Sequence, residues 1–198
     1  MAAQDGLSGI KEYGGPGTLF IYAGLMRGIT LPLIICLLTF PSLTTARTIE
    51  GRVIHIADGD TITVFDSNKV QHRVRIAGID APEKGQPFGN ASRKRLGELV
   101  AGKEVRVEFE KYDRYGRIVG KVWVTPPDCS TCGKTLDAGL AQITSGMAWW
   151  FRRYAHEQSP EDQGRYEFAE QGAKAKKVGL WQDKNPVPPW EYRHPPQQ

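Results

Sequence analysis

Val53-Ile54-His55-Ile56-Ala57-Asp58-Gly59-Asp60-Thr61-Ile62-Thr63-Val64-Phe65 holds two β-rich runs separated by Asp58-Gly59. Branched and aromatic residues alternating with polar ones mark strands, and Asp-Gly between two such runs predicts a two-residue hairpin. Toward the C-terminus, Ser67-Asn68 reads as a second turn and Val70 to Ile79 as a third strand, which makes a meander. The small Ala77-Gly78 pair inside the third strand implies a coiled, closely packed path.

The pattern then changes period. A helix is expected near Asn90 to Ala101, with Leu96, Leu99 and Val100 on one face and Gly102 as its stop. Strands resume through Val105, Val107 and Phe109, turn at Tyr112 to Gly116, and return through Ile118, Val119, Val122 and Val124. A second helix is expected over Leu136 to Met147 with Thr135 as N-cap. A third opens at Ser159-Pro160, carries Lys174, Lys176 and Lys177 near its end, and stops at Gly179. Five strands with a helix between the third and fourth is the order of an OB-type barrel. The expected fold is therefore α+β, a five-stranded OB-type β-barrel with three helices.

The domain expected to fold this way is 47–198, ending in a proline-rich tail that holds Trp190. Residues 1–46 read differently. Met26-Arg27 precedes an apolar run from Ile29 to Phe40, and Thr44-Thr45-Ala46 closes it with small residues, the layout of a secretory signal peptide cleaved after Ala46. The alternative is a retained membrane anchor, although the continuous run is shorter than the ~20 apolar residues of a span. Either way the domain 47–198 is expected outside the cytoplasm, secreted or periplasmic if the segment is cleaved and membrane-attached if not. Removing Lys11 and Arg27 together with Asp5 and Glu12 leaves the net charge of the 198-residue chain at +4. That is a mild bias toward polyanions. With 40% hydrophobic and 24% charged residues the composition is globular and excludes a disordered chain.

Cys129-Ser130-Thr131-Cys132 lies between two elements. In an exported chain a local disulfide is the favoured reading. Zinc would need about four ligands, and the four histidines show no matching spacing. A thioredoxin-like pair would need a surrounding βαβ pattern.

Chemistry concentrates elsewhere. Asp60 opens the second strand and Asp80 ends the third, so a meander can bring the two carboxylates together. With carbonyl and water oxygens they suit Ca²⁺, which accepts irregular oxygen shells. No thiolate or imidazole cluster argues for a softer metal. Glu83 follows beyond Pro82 and is the candidate proton acceptor for an attacking water. Arg75 and Arg117 are candidates to offset charge on a phosphate. Arg75 and Asp80 are five residues apart and would face opposite sides of a straight strand, so the chain must bend at Ala77-Gly78 or bulge. Each motif alone is bland: Asp58-Gly59 is usually a turn, and Asp113-Arg114 usually a solvated one. The order and spacing of the set point to metal-assisted phosphodiester hydrolysis.

From about Arg52 to Arg193 these residues resemble the staphylococcal-nuclease-like (thermonuclease) family. The carriers are Asp58-Gly59-Asp60-Thr61, Arg75 with Asp80-Ala81-Pro82-Glu83, Tyr115-Gly116-Arg117, Gly179-Leu180-Trp181 and Pro188-Pro189-Trp190-Glu191-Tyr192-Arg193. The resemblance implies a Ca²⁺-dependent phosphodiesterase acting on DNA and RNA. It implies that Asp60, Asp80 and the Ala81 carbonyl ligate the ion, that Glu83 is base or water-orienting group, that Arg75 and Arg117 bind the scissile phosphate, and that Tyr115 holds a neighbouring one. Ala81 stands where the best-known members have threonine, and Lys84 to Asn90 is shorter than their mobile basic loop. The alternative function is a non-catalytic nucleic-acid-binding OB module, from which loss of charged site residues would be expected.

Arg93, Lys94 and Arg95 on the first helix, and Arg152-Arg153 after Trp149-Trp150-Phe151, suit a single strand whose bases stack while its phosphates pair. Trp149 and Phe151 read equally as core residues. Nothing reads base edges, so low sequence specificity is expected. A monomer without a small-molecule cofactor is expected.

Overall fold

The computed structural model describes residues 47–194. The expectations for 1–46, signal or anchor, lie outside the described residues. Within them, strands β1 (Arg47–Ile56), β2 (Thr61–Asp66) and β3 (Gln71–Ile76) form the antiparallel meander. Strands β5 (Glu104–Tyr112) and β6 (Ile118–Val124) continue the sheet on the other side of β1. β6 then pairs in parallel with β3, Val74 opposite Ile118 and Arg75 opposite Val119, and closes the barrel. Closure removes the sheet edges that would otherwise template association. The alternation of β6 is regular: Ile118, Gly120, Val122 and Val124 point inward and the residues between them lie outside. Fully buried side chains such as Ile62 and Val74 each contribute about 1.5–3 kcal/mol of apolar transfer.

The first connection departs from the two-residue hairpin. The last ladder pair is Ile56 with Ile62, and Ala57 N–H bonds the Thr61 carbonyl at 2.9 Å, so the loop is wider. A tight primed turn needs positive φ, and Gly59 does not have it. Gly59 serves close approach instead: a Cβ there would lie 1.8 Å from Ser92 Oγ and 2.7 Å from the Ala81 methyl.

The third strand is likewise shorter than its sequence pattern. β3 ends at Ile76, and Gly78 takes a left-handed φ of 76°. Only glycine adopts this readily. The chain then enters β4 (Ile79–Asp80), which pairs with β8 (Trp149–Trp150) in a second small sheet.

Helix α1 (Gly89–Val100) closes the barrel with Leu96, Leu99 and Val100. The second expected helix is cut at both ends. Leu136–Asp137 forms β7 against β6, and α2 is Ala138–Thr144. Its N-cap is Asp137, not Thr135, accepting from the N–H groups of Gly139 at 2.9 Å and Leu140 at 3.1 Å. Pairing of Leu136 with Val124 holds the expected first turn extended. Helix α3 (Pro160–Ala175) starts as read, with Ser159 Oγ accepting from Asp162 N–H at 3.1 Å. After it, Leu180 and Trp181 pack with Ala173 in a second apolar cluster. The chain ends in the short α4 (Pro189–Tyr192). Among the described residues no helix is long and apolar enough to cross a membrane.

Candidate active site

The turn at Gly78 settles the orientation problem left by the sequence. Arg75 leaves the outer face of β3, and Asp80 is carried back toward it on β4. Arg75 Nη1 donates to Asp60 Oδ1 at 2.6 Å and its Nη2 to Asp80 Oδ1 at 2.7 Å. Both carboxylates are buried, their side chains 3% and 0% exposed. Asp60 is fixed from behind: Thr61 Oγ1 donates to Oδ1 at 2.9 Å, and Ala81 N–H donates to Oδ2 at 2.9 Å. The turn beneath is packed by Gln142, whose Nε2 donates to the Gly59 carbonyl at 2.8 Å and the Ser92 carbonyl at 3.1 Å.

The electrostatics follow. Burial pushes Asp58 up to about 6, helped by the neighbouring Asp60 charge. Burial also raises Asp80, against the opposing pull of Arg193 and Arg75. Burial works to lower Arg75, yet the Asp60 and Asp80 charges outweigh it and hold its guanidinium above its ordinary value. Crowded carboxylates of this kind are a place where a cation relieves repulsion.

Glu83 follows on the Pro82–Phe88 loop. Its N–H bonds Gln86 Oε1 at 3.0 Å, while Gln86 Nε2 donates to the Val187 carbonyl at 2.7 Å. Buried Gln86 therefore ties the Glu83 loop to the C-terminal segment. That segment delivers Arg193, whose Nη1 bonds a Glu83 carboxylate oxygen and, at 3.2 Å, Asp80 Oδ1. Its Nη2 reaches Asp80 Oδ2 at 2.7 Å. Asp60, Arg75, Asp80, Glu83 and Arg193 are thus one linked cluster.

The family described as staphylococcal nuclease homologue matches residues 73–183, more than half of the chain. The chain belongs to the staphylococcal nuclease family. It is 38% identical over 164 residues to an uncharacterized endonuclease of Escherichia coli, covering 83% of this chain and 96% of the relative. It is 40% identical over 144 residues to a micrococcal nuclease of Shigella flexneri, covering 73% of this chain and 80% of that one. An uncharacterized endonuclease of Haemophilus influenzae is 35% identical over 167 residues, 84% of this chain and 85% of the relative. The family match over 73–183 takes in Arg75, Asp80, Glu83 and Arg117.

Arg117 is placed differently from the other expected residues. It precedes Ile118, the β6 partner of Val74, and so shares the outer face of the β3–β6 pair with Arg75. Its Nε donates to Asp113 Oδ2 at 2.7 Å, and no bond joins it to Asp60, Asp80 or Glu83 among the described residues. Tyr115, 64% exposed, stands on the same turn with the Arg114 guanidinium 4.8 Å and that of Arg117 5.4 Å from its ring centroid. Asp113 holds this turn through bonds from the N–H groups of Tyr115 and Arg117, both at 2.9 Å. Cys129 and Cys132 are bonded through sulfur on an exposed loop, Cα atoms 5.4 Å apart.

The donor set for a metal is all oxygen: Asp60, Asp80 and the main chain around Ala81. This fits a hard ion that completes its shell with water. Among the described residues no group of three or more histidine, cysteine, aspartate or glutamate side chains is placed to hold a metal ion, so any ion here would rest on two carboxylates with main-chain and water oxygens. The expected stacking residues divide. Trp150 is buried and Arg152 is bonded to buried Glu170 at 2.8 Å, so both serve structure. Trp149 packs on Trp181 and Trp190, and Phe151 stacks on Trp190 at 5.4 Å with rings 15° apart. Arg193 and Gln86 were not read from the sequence as site residues. The available signal was the Pro188–Arg193 motif itself, which ends in a basic residue.

Proposed function

We propose that this protein is a Ca²⁺-dependent endonuclease that hydrolyses phosphodiester bonds of DNA and RNA with low sequence specificity, single strands favoured. The observation that carries the reading is the Arg75 fork joining buried Asp60 and Asp80, with Glu83 one turn away. The endonuclease and micrococcal nuclease names of its relatives support it.

Asp60, Asp80 and the Ala81 carbonyl hold the ion. A Ca²⁺ ion held there would supply positive charge to offset the negative charge that builds on the phosphoryl group. Glu83, partly open to solvent, takes a proton from water as the water oxygen bonds phosphorus and the opposite sugar oxygen leaves with its electron pair. Arg75 offsets charge on the non-bridging oxygens. Arg117, from the same barrel face, binds the phosphate from the other side. Tyr115 and its arginines hold an adjoining phosphate. The protein acts as a monomer outside the cytoplasm after loss of 1–46.

Incubating the purified protein with single-stranded DNA, duplex DNA and RNA, in Ca²⁺ and in excess chelator, tests the reading. Cleavage in Ca²⁺ alone is expected; binding without cleavage would leave a nucleic-acid-binding barrel, and full cleavage in chelator would end the metal assignment. Sequencing the N-terminus of protein from fractionated cells tests the export.

A further inference from the structure

Asp80 carries more guanidinium than one cation ligand needs. Its Oδ1 accepts from Arg75 at 2.7 Å and from Arg193 at 3.2 Å, and its Oδ2 from Arg193 at 2.7 Å. Each carboxylate oxygen has two lone pairs, so Oδ1 is full and Oδ2 has one place left. Glu83 spends an oxygen on the same Arg193. An ion shared by Asp60 and Asp80 would lie against both guanidinium charges, and one of the two arginines must yield.

The two differ in how firmly they are held. Arg75 sits between two barrel strands, paired with Thr61 on one side and Val119 on the other, and its side chain is 18% exposed. Arg193 follows the last helical residue, and its side chain is 34% exposed. Its backbone is anchored independently of its guanidinium: Gln86 holds Val187, Pro189 is buried, and Trp190 stacks on Phe151. The charged head can therefore swing while the segment stays docked. Charge makes the direction plain. A dication on Asp80 would repel both guanidinium groups, and a phosphodiester offers the displaced one a new anion.

We propose that Arg193 is a third phosphate-binding guanidinium of this site, parked on Asp80 and Glu83 until a divalent cation takes Asp80 and then turned onto the phosphodiester, which releases Glu83. This rests on the nuclease reading. It assigns the Pro188–Arg193 segment to substrate binding and leaves Glu83 free to accept a proton only in the metal-bound state.

The test uses the full chain, Arg193→Ala and Arg193→Lys. Calorimetric titration with Ca²⁺ and no nucleic acid should find Arg193→Ala binding the ion about tenfold more tightly, the scale of one close like charge removed. At saturating Ca²⁺, kcat/KM on a short single-stranded DNA should fall about 10–100-fold in Arg193→Ala, mainly through KM. Arg193→Lys keeps the charge without the fork and should lie between the two on both scales. Should Arg193→Ala fail to fold by circular dichroism, Arg193→Lys carries the comparison with the same signs. Unchanged or weaker Ca²⁺ binding, or unchanged kcat/KM, overturns the exchange. If the unaltered chain cleaves in Ca²⁺ and the variants match it, only the role of Arg193 falls. If the unaltered chain neither binds Ca²⁺ nor cleaves, the nuclease reading falls with it.

Discussion

Arg75→Ala separates the structural from the chemical work of the cluster. The side chain ties Asp60 at 2.6 Å to Asp80 at 2.7 Å, and both carboxylates are almost wholly buried. Removing one partner of a buried ion pair costs about 3–5 kcal/mol. Here Asp80 keeps the Arg193 fork, and Asp60 keeps the Thr61 hydroxyl and the Ala81 N–H. The loss expected in chelator is therefore about 2–3 kcal/mol. A cation between the carboxylates replaces the missing positive charge. Ca²⁺ at a hundredfold excess over its dissociation constant adds about 2.7 kcal/mol, and the variant, lacking a competing charge, should bind it more tightly than the parent. The variant in Ca²⁺ should thus regain about the stability of the parent in chelator, and the gap between the two proteins should be smaller in Ca²⁺ than in chelator. Cleavage should not recover, staying about 10²–10³-fold down because a transition-state donor is gone. Urea unfolding followed by tryptophan fluorescence, in chelator and in Ca²⁺, with initial rates on single-stranded DNA, measures both. Equal destabilisation with and without Ca²⁺ would refute the placement of the ion between Asp60 and Asp80. Near-parental cleavage would remove Arg75 from the chemistry.

Gly59→Ala should cost about 1–3 kcal/mol by overpacking, because the new methyl would lie 1.8 Å from Ser92 Oγ, itself held by a 2.6 Å bond to the Met147 carbonyl. Urea midpoints measure it, and a neutral result would mean the turn shifts freely. Glu83→Gln should lower the cleavage rate about 10²–10⁴-fold while Ca²⁺ still binds; a pH–rate profile that loses its acidic limb identifies the proton acceptor. Asp137→Ala removes the α2 cap and strands the buried Tyr166 hydroxyl, which bonds Asp137 at 2.9 Å. The expected loss is about 2–4 kcal/mol, and Asp137→Asn should recover part of it in the same unfolding assay. Burial acts to raise Asp113, but bonds from the Arg117 and Tyr115 groups outweigh it and set it below the ordinary 3.8. A lowered carboxyl contributes stability above its unfolded value and loses it as pH falls through the folded one. The stability gap between parent and Asp113→Asn should therefore persist at neutral pH and close below 3.8; a gap independent of pH would contradict it.

The barrel was legible because its signals are local and repeated. Alternation in Val105 to Val124 and the apolar face of Leu96, Leu99 and Val100 each need only a window of a dozen residues. The misread boundaries have a tertiary cause. Leu136 follows a helical stripe, but its backbone pairs with Val124, so the helix waits for Asp137 to cap it. Asp58-Gly59 has hairpin composition, yet Gly59 is small because Ser92, on a helix 33 residues further along, packs against it. Asp60, Arg75, Asp80 and Glu83 were found because their spacing is short and their chemistry distinct. Arg193 lies 110 residues beyond Glu83, and only folding brings it back.

The position of Arg75 explains why site and fold are hard to separate. Its backbone lies within the barrel sheet, paired with β2 and β6, while its guanidinium organises carboxylates outside. The outward chain path that makes this possible begins at Gly78, whose left-handed turn takes Ile79–Asp80 out of the barrel and into pairing with β8. A Cβ at Gly78 would meet Gln158 Nε2 at 2.4 Å as well as a strained φ. Two buried acids held by Arg75 and Arg193 are costly to keep without a cation, since desolvation offsets most of the attraction. A cluster selected only for stability would replace them with apolar groups. Asp60 and Asp80 held at that cost, behind a strand exit that only glycine permits, are what the proposed binding of a cation and a phosphate would require.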